Sequence, residues 1–139
     1  MANTLRLEIV TPEARTYSDD VDMVVIPGVE GELGVFPQHV PFLTELKPGE
    51  LRVLKNGQEI ALAVGEGFVE ITADHVSVLT DMAIEESAID ENAVQAAIDR
   101  AEAAMRDSAH LGAEEMATVQ AALQKSLAQL KVKRRRHSI

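Results

Sequence analysis

Near its start the chain alternates: Leu5, Leu7 and Ile9 are interleaved with Arg6 and Glu8, the period of a half-buried strand. Val21 to Ile26 is a nearly continuous apolar run stopped by Pro27-Gly28. Leu51 to Lys55 and Gln58 to Val64 flank Asn56-Gly57, a strong two-residue hairpin signal, because a type I′ turn needs positive φ twice. Phe68 to Thr72 and Val76 to Thr80 predict a further hairpin around Ala73-Asp74-His75. All five prolines precede residue 49, and seven of the eight glycines precede residue 68. Six or more short strands with close turns predict a small antiparallel sandwich or barrel over residues 1–84.

From Glu85 the period changes. Residues 85–130 hold no proline, one glycine and thirteen alanines. Ser87 and Asp90 are both candidate helix caps. Val94, Ile98, Ala101 and Met105 mark one apolar face; after a break at Asp107 to Gly112, Met116, Val119, Leu123, Leu127 and Leu130 mark a second. The short break predicts an antiparallel two-helix hairpin over residues 85–139, ending in a basic tail. Its first helix carries only Val94, Ile98 and Met105 as large anchors, each worth about 1.5–3 kcal/mol on full burial before ordering costs. Alanine keeps the helix favourable whether docked or not. Such a hairpin is able to open without unfolding, and a permanently closed cap is the other reading.

Charge divides the chain further. The formal net charge is −10, which argues against binding to phosphate backbones, and with no Trp, one Tyr and three Phe there is little to stack on bases. Residues 1–84 hold 14 acids and 5 bases, residues 85–130 hold 9 and 3, and the last nine hold 5 bases and no acid. The basic end, with Lys131, Lys133, Arg134, Arg135 and Arg136, stands apart from everything before it. The absence of cysteine excludes disulfides, thiolate metal sites and cysteine nucleophiles. The first ten residues lack the basic start and apolar run of a signal peptide, and no apolar stretch approaches the roughly 20 residues of a membrane span, which points to a soluble cytoplasmic protein able to dock on a membrane complex.

Candidate chemistry is sparse. His39, His75, His110 and His137 are scattered, with no i, i+4 pair, and read as turn, loop or tail residues rather than metal ligands. Glu85-Glu86 and Glu114-Glu115 lie near helix starts, where complementing the dipole is reason enough for them. Gly28, Gly31 and Gly34 lack the Lys-Ser/Thr and the helix of a P-loop. No catalytic residue, cofactor site or metal site is expected.

The run Pro27-Gly28-Val29-Glu30-Gly31-Glu32-Leu33-Gly34-Val35-Phe36-Pro37-Gln38-His39-Val40-Pro41-Phe42-Leu43-Thr44, with Lys47-Pro48-Gly49 beyond it, closely resembles the epsilon subunit of F-type ATP synthases. Leu5 to Pro12 and Gly65 to Asp81 resemble the same family, so the likeness covers essentially the whole chain. It implies an α+β, mainly β fold: a ten-stranded antiparallel β-sandwich followed by an antiparallel two-helix hairpin. It also implies a noncatalytic rotor subunit on the central stalk, coupling the gamma subunit to the c-subunit ring in proton-driven ATP synthesis. Glu32 and His39 match the positions the family associates with the stalk base and the c ring.

In bacterial members the helices leave the sandwich, extend along gamma and hinder hydrolysis. With roughly 18 residues and about 27 Å per helix, an opened hairpin would reach on the order of 60 Å. That would carry Lys131, Lys133, Arg134, Arg135 and Arg136 toward acidic surfaces of the beta subunits, within the alpha and beta head. The alternative is a disordered solubilising tail. Some members bind ATP through Ile/Leu-Asp-x-x-Arg-Ala; here Ile89-Asp90-Glu91-Asn92-Ala93 has Ala93 where that pattern has Arg, which implies weak or absent ATP binding. The resemblance places the protein peripherally, through its complex alone, on the cytoplasmic face of a bacterial inner membrane or the stromal side of a thylakoid. The competing reading is a standalone β-sandwich adaptor whose basic helical tail binds an acidic partner or an anionic membrane; a small acid-dependent hydrolase is remote.

Overall fold

The computed structural model describes residues 3–137, with the side chains of Arg15, Thr16, Ser108, Arg136 and His137 outside the described set. Ten strands come first: β1 (Leu5–Val10), β2 (Arg15–Val21), β3 (Met23–Gly28), β4 (Gly31–Val35), β5 (Phe42–Leu46), β6 (Gly49–Lys55), β7 (Gln58–Val64), β8 (Gly67–Ile71), β9 (His75–Thr80) and β10 (Ala83–Glu85). Helices α1 (Glu91–Arg106) and α2 (Ala113–His137) follow.

The strands are hydrogen-bonded in the order β10-β7-β6-β3-β5-β8-β9-β1-β2, with β4 paired to the remaining part of β3. Only Gly28 and Leu46 pair between β3 and β5, so the sheet folds over there into two layers. Inward residues of both layers interdigitate, among them Leu7, Ile9, Val24, Ile26, Leu51, Leu62, Val69 and Val78, all fully buried. The two layers are also joined by a hydrogen-bonded ion pair between Lys55, at the end of β6, and Asp19 of the edge strand β2. That bond holds the Asp19 carboxyl below its ordinary range and the Lys55 ammonium above its own.

The pattern in the sequence accounts for most of this, with two refinements. Residues Val21 to Ile26 form two strands rather than one, because the chain turns at Asp22 between β2 and β3. Every strand pairing is antiparallel except β1 with β9, which run parallel from Arg6↔His75 to Val10↔Leu79. The Asn56-Gly57 turn takes positive φ at both residues, 54° and 77°, as a hairpin joining β6 to β7 requires.

The helices settle one expectation and depart from two others. Asp90, not Ser87, caps α1, its carboxylate accepting from the backbone N–H groups of Asn92 and Ala93. The helix α2 has 25 residues rather than roughly 18, because the basic stretch continues it instead of trailing as a tail. Lys and Arg are good helix formers, and positive charge at a helix C-terminus complements the dipole. The buried face of α2 also differs: Ser126, Ala128 and Val132 are buried, while Leu127 is 40 % exposed. The helix α2 packs on both α1 and the sheet, which divides its apolar surface between them.

Gly67 shows how tightly the second layer is paired. A Cβ there would lie 1.8 Å from the Leu79 carbonyl oxygen. Gly67→Ala is expected to destabilise the chain by about 1–3 kcal/mol, read as a lower urea midpoint with an unchanged slope.

Candidate functional site

Outward residues of β6 and β7 form the floor on which the hairpin lies. Ala61 and Ala63 point outward from β7 and present almost no side chain, with Ile84 of β10 opposite Ala63. Against them pack Ile89, Val94, Ile98 and Val132, with Leu123 and Leu130 at the margin. Val132 is fully buried although it sits inside the basic run.

Alternation along β6 puts Leu51 and Val53 into the core, so Glu50 and Arg52 necessarily face the helices. Glu50 is only 5 % exposed and accepts a hydrogen bond from Arg135 Nε at 2.6 Å. The Arg135 guanidinium also lies 3.8 Å from Glu59 of β7. The hydrogen bond to Glu50 raises the Arg135 pKa above its ordinary value. Two neighbours are tied separately: Lys133 Nζ lies 3.4 Å from a Glu86 carboxylate oxygen and donates to the Glu86 carbonyl, and Arg134 Nε donates to Glu91 at 3.1 Å. Lys131 is exposed beside a groove of about 500 Å³ shared with Glu32, Pro48 and Leu127. The Arg136 side chain lies outside the described residues. In this conformation the basic end is therefore folded onto acids of its own chain.

Glu32 and His39 are not brought together. Glu32, near the β3–β4 turn, accepts from Arg52 Nη2 at 3.4 Å through both oxygens. His39 lies beyond the far end of β4, its Nδ1 2.7 Å from the Val40 carbonyl oxygen. The loop around it is anchored by the Gln38 N–H donating to the Ala73 carbonyl. A contact using both residues has to span the length of β4. His75 pairs with Glu8 at 3.1 Å and His110 with Asp107 at 3.5 Å. Among the described residues no group of three or more His, Asp and Glu is placed to hold a metal, and no helix is long and apolar enough to cross a membrane.

Three residues of the ion cluster, Glu50, Arg52 and Glu59, escaped sequence reasoning because outward strand positions look like ordinary solvated charges. The available signal was the −9 sandwich set against the +5 end, read as a pairing within one chain. The opposite layer bears a different surface. Register aligns Phe68 with Leu79 on its outward face, each 54 % exposed, with Val10 next to Leu79. Leu43, 67 % exposed, and Val29, 48 % exposed, extend this apolar band. Glu45 and Glu70 are interleaved with it, facing Phe68 and Leu43 across β5 and β8.

Residues 4–86 match the family model described as the ATP synthase delta/epsilon chain, beta-sandwich domain. The chain is 44% identical over 133 residues to the ATP synthase epsilon chain of Syntrophobacter fumaroxidans, covering 95% of this chain and 97% of that protein. It is 40% identical over 134 residues to the ATP synthase epsilon chain of Herpetosiphon aurantiacus, covering 96% and 97%. The chain belongs to the ATP synthase epsilon-chain family. Its fold is also that of a chain in the Euglena gracilis mitochondrial ATP synthase, with a TM-score of 0.76, 22% identity, and 93% and 80% of the two chains covered.

Within the epsilon family, then, this member carries a hairpin closed on one layer of its sandwich and an open apolar band on the other. Where a nucleotide-binding pattern would have Arg, Ala93 offers a methyl group, and its N–H is already taken by Asp90. Val132→Asp is expected to release the end of α2 while leaving the sandwich folded. Proteolysis at Lys131 and Lys133 should accelerate at least tenfold, with the β-sheet circular dichroism unchanged.

Proposed function

We propose that this epsilon-family chain is a noncatalytic rotor subunit that couples the gamma subunit to the c-subunit ring in proton-driven ATP synthesis. Its C-terminal helices restrain ATP hydrolysis when they leave the sandwich and reach the alpha and beta subunits. The observation that carries the reading is the separation of two surfaces on one sandwich. The layer under the hairpin is covered, and the layer bearing Phe68, Leu79, Leu43 and Val29 is open and apolar. Exposed apolar surface of this kind suits a lasting protein partner.

The division of labour follows the change in structure along the chain. Residues 1–84 hold gamma through the open band and meet the c ring through Glu32 and His39; residues 85–139 regulate. Gamma occupies the Phe68 band because it is the partner that stays bound in every state of the hairpin. Because Glu32 and His39 sit toward opposite ends of β4, the second contact is an extended one, as a ring would provide. Lys131, Lys133, Arg134, Arg135 and Arg136 are the brake contacts to beta-subunit acids. In the closed form Lys133, Arg134 and Arg135 are neutralised by Glu86, Glu91 and Glu50, so opening exchanges internal carboxylates for external ones. The subunit sits peripherally on the cytoplasmic face of the inner membrane, held there through its complex.

Two measurements test this. Phe68→Lys combined with Leu79→Glu alters exposed positions and sets opposite charges across the strands, so the chain should fold normally. Its affinity for gamma should fall at least a hundredfold by titration. Removing residues 131–139 should raise hydrolysis by the assembled complex several-fold; unchanged hydrolysis in a normally assembled complex would exclude the brake.

A further inference from the structure

The ion cluster beneath the end of α2 is unbalanced. Glu32, Glu50 and Glu59 bring three carboxylates, and Arg52 and Arg135 two guanidinium groups. Arg135 holds the buried Glu50 at 2.6 Å. Arg52 leans the other way, its Nη2 3.4 Å from both oxygens of Glu32. That pose leaves Arg52 Nε buried without a hydrogen-bond acceptor, 4.0 Å from Glu50 and 3.8 Å from Glu59. A buried donor without an acceptor is costly, and a shift of about 1 Å would bring it into hydrogen-bonding range of either carboxylate.

We propose that Arg52 is a movable cation coupling Glu32 to closure of the helical hairpin. While Glu32 accepts from it, Arg52 is held aside and Glu50 belongs to Arg135. When a partner takes Glu32, Arg52 turns to Glu50 and Glu59. Arg52 then competes with Arg135 for Glu50, and the contact that loosens is that of Arg135, which is 36 % exposed and rides on a helix end. Arg52 sits in the middle of β6 and is the less exposed of the two, at 26 %.

The exposures suit these roles. The Glu32 side chain is 60 % exposed and open to a partner, Arg52 is 26 % exposed between the acids, and Glu50 is 5 % exposed and reached only from within. Lys133 and Arg134 are bound to Glu86 and Glu91, outside the cluster, so the relay biases closure rather than deciding it alone. The inference rests on the reading that Glu32 meets a partner and that α2 leaves the sheet; it adds the connection between the two events.

The full chain has no cysteine, so spin labels at Gln58→Cys and Gln120→Cys, both exposed, report the distance between sandwich and α2. Arg135→Gln is expected to raise the open-to-closed ratio about tenfold, as loss of a charged hydrogen bond implies. Glu32→Gln should raise it about threefold, by freeing Arg52 as a partner would. In an Arg52→Gln background Glu32→Gln should have no effect, and Arg52→Lys, which keeps the charge, should restore part of the response. The relay is overturned if Arg135→Gln leaves the ratio unchanged, or if Glu32→Gln acts equally with and without Arg52. Because these distances are read on the isolated chain, either result is independent of gamma binding and of the hydrolysis assay.

Discussion

A helix can lie close to a β-sheet only where the outward side chains of the sheet are small, and Ala61 and Ala63 provide that strip on β7. Their absence of bulk draws Val132, Val94 and Ile98 down to the backbone and decides which layer the hairpin covers. Once α2 lies there, its end is delivered to Glu50, and the acids of β6 and β7 become partners of the basic run. The other layer, with Phe68 and Leu79 outward, cannot receive a helix so closely and stays open. Docking and regulation thus divide between the two faces of one sandwich because of side-chain size.

Energetically the closed hairpin is held by many modest terms. Its apolar contact is built on alanines and a few larger residues, and its ion pair at Arg134 is largely exposed, where such pairs contribute little. Arg135 differs because its partner is buried, so the bond is shielded on the carboxylate side. A structure assembled this way releases a helix without unfolding it. Alanine, lysine and arginine keep α2 helical on their own account.

The sequence made some of this readable and hid the rest for definite reasons. Asn56-Gly57 announced its turn because few residue pairs tolerate positive φ twice, and Ala-rich periodicity announced the helices. The short strands β4, β5 and β10 carry too few alternating positions to be seen without the family resemblance. The parallel pairing of β1 with β9 joins residues some seventy positions apart and leaves no local trace. Leu127 followed the helical spacing but fell outside the buried face, because α2 serves both α1 and the sheet and its apolar surface is divided between them. The ion cluster was least legible, since Glu32, Glu50, Glu59 and Arg135 become neighbours only after three strands and a helix have assembled.

The parallel pairing of β1 has a consequence for how the chain is made. The strand β1 has its partner on one edge, β2, close by in the chain, through Leu5↔Val21 and its neighbours, but its other edge waits for residues 75–80. Until those residues are made, β1 has an unpaired backbone edge and no complete core for Leu5, Leu7 and Ile9. The second layer is complete only once β9 has been made, and the hairpin, which follows the sandwich in the chain, meets a floor whose strands are already made.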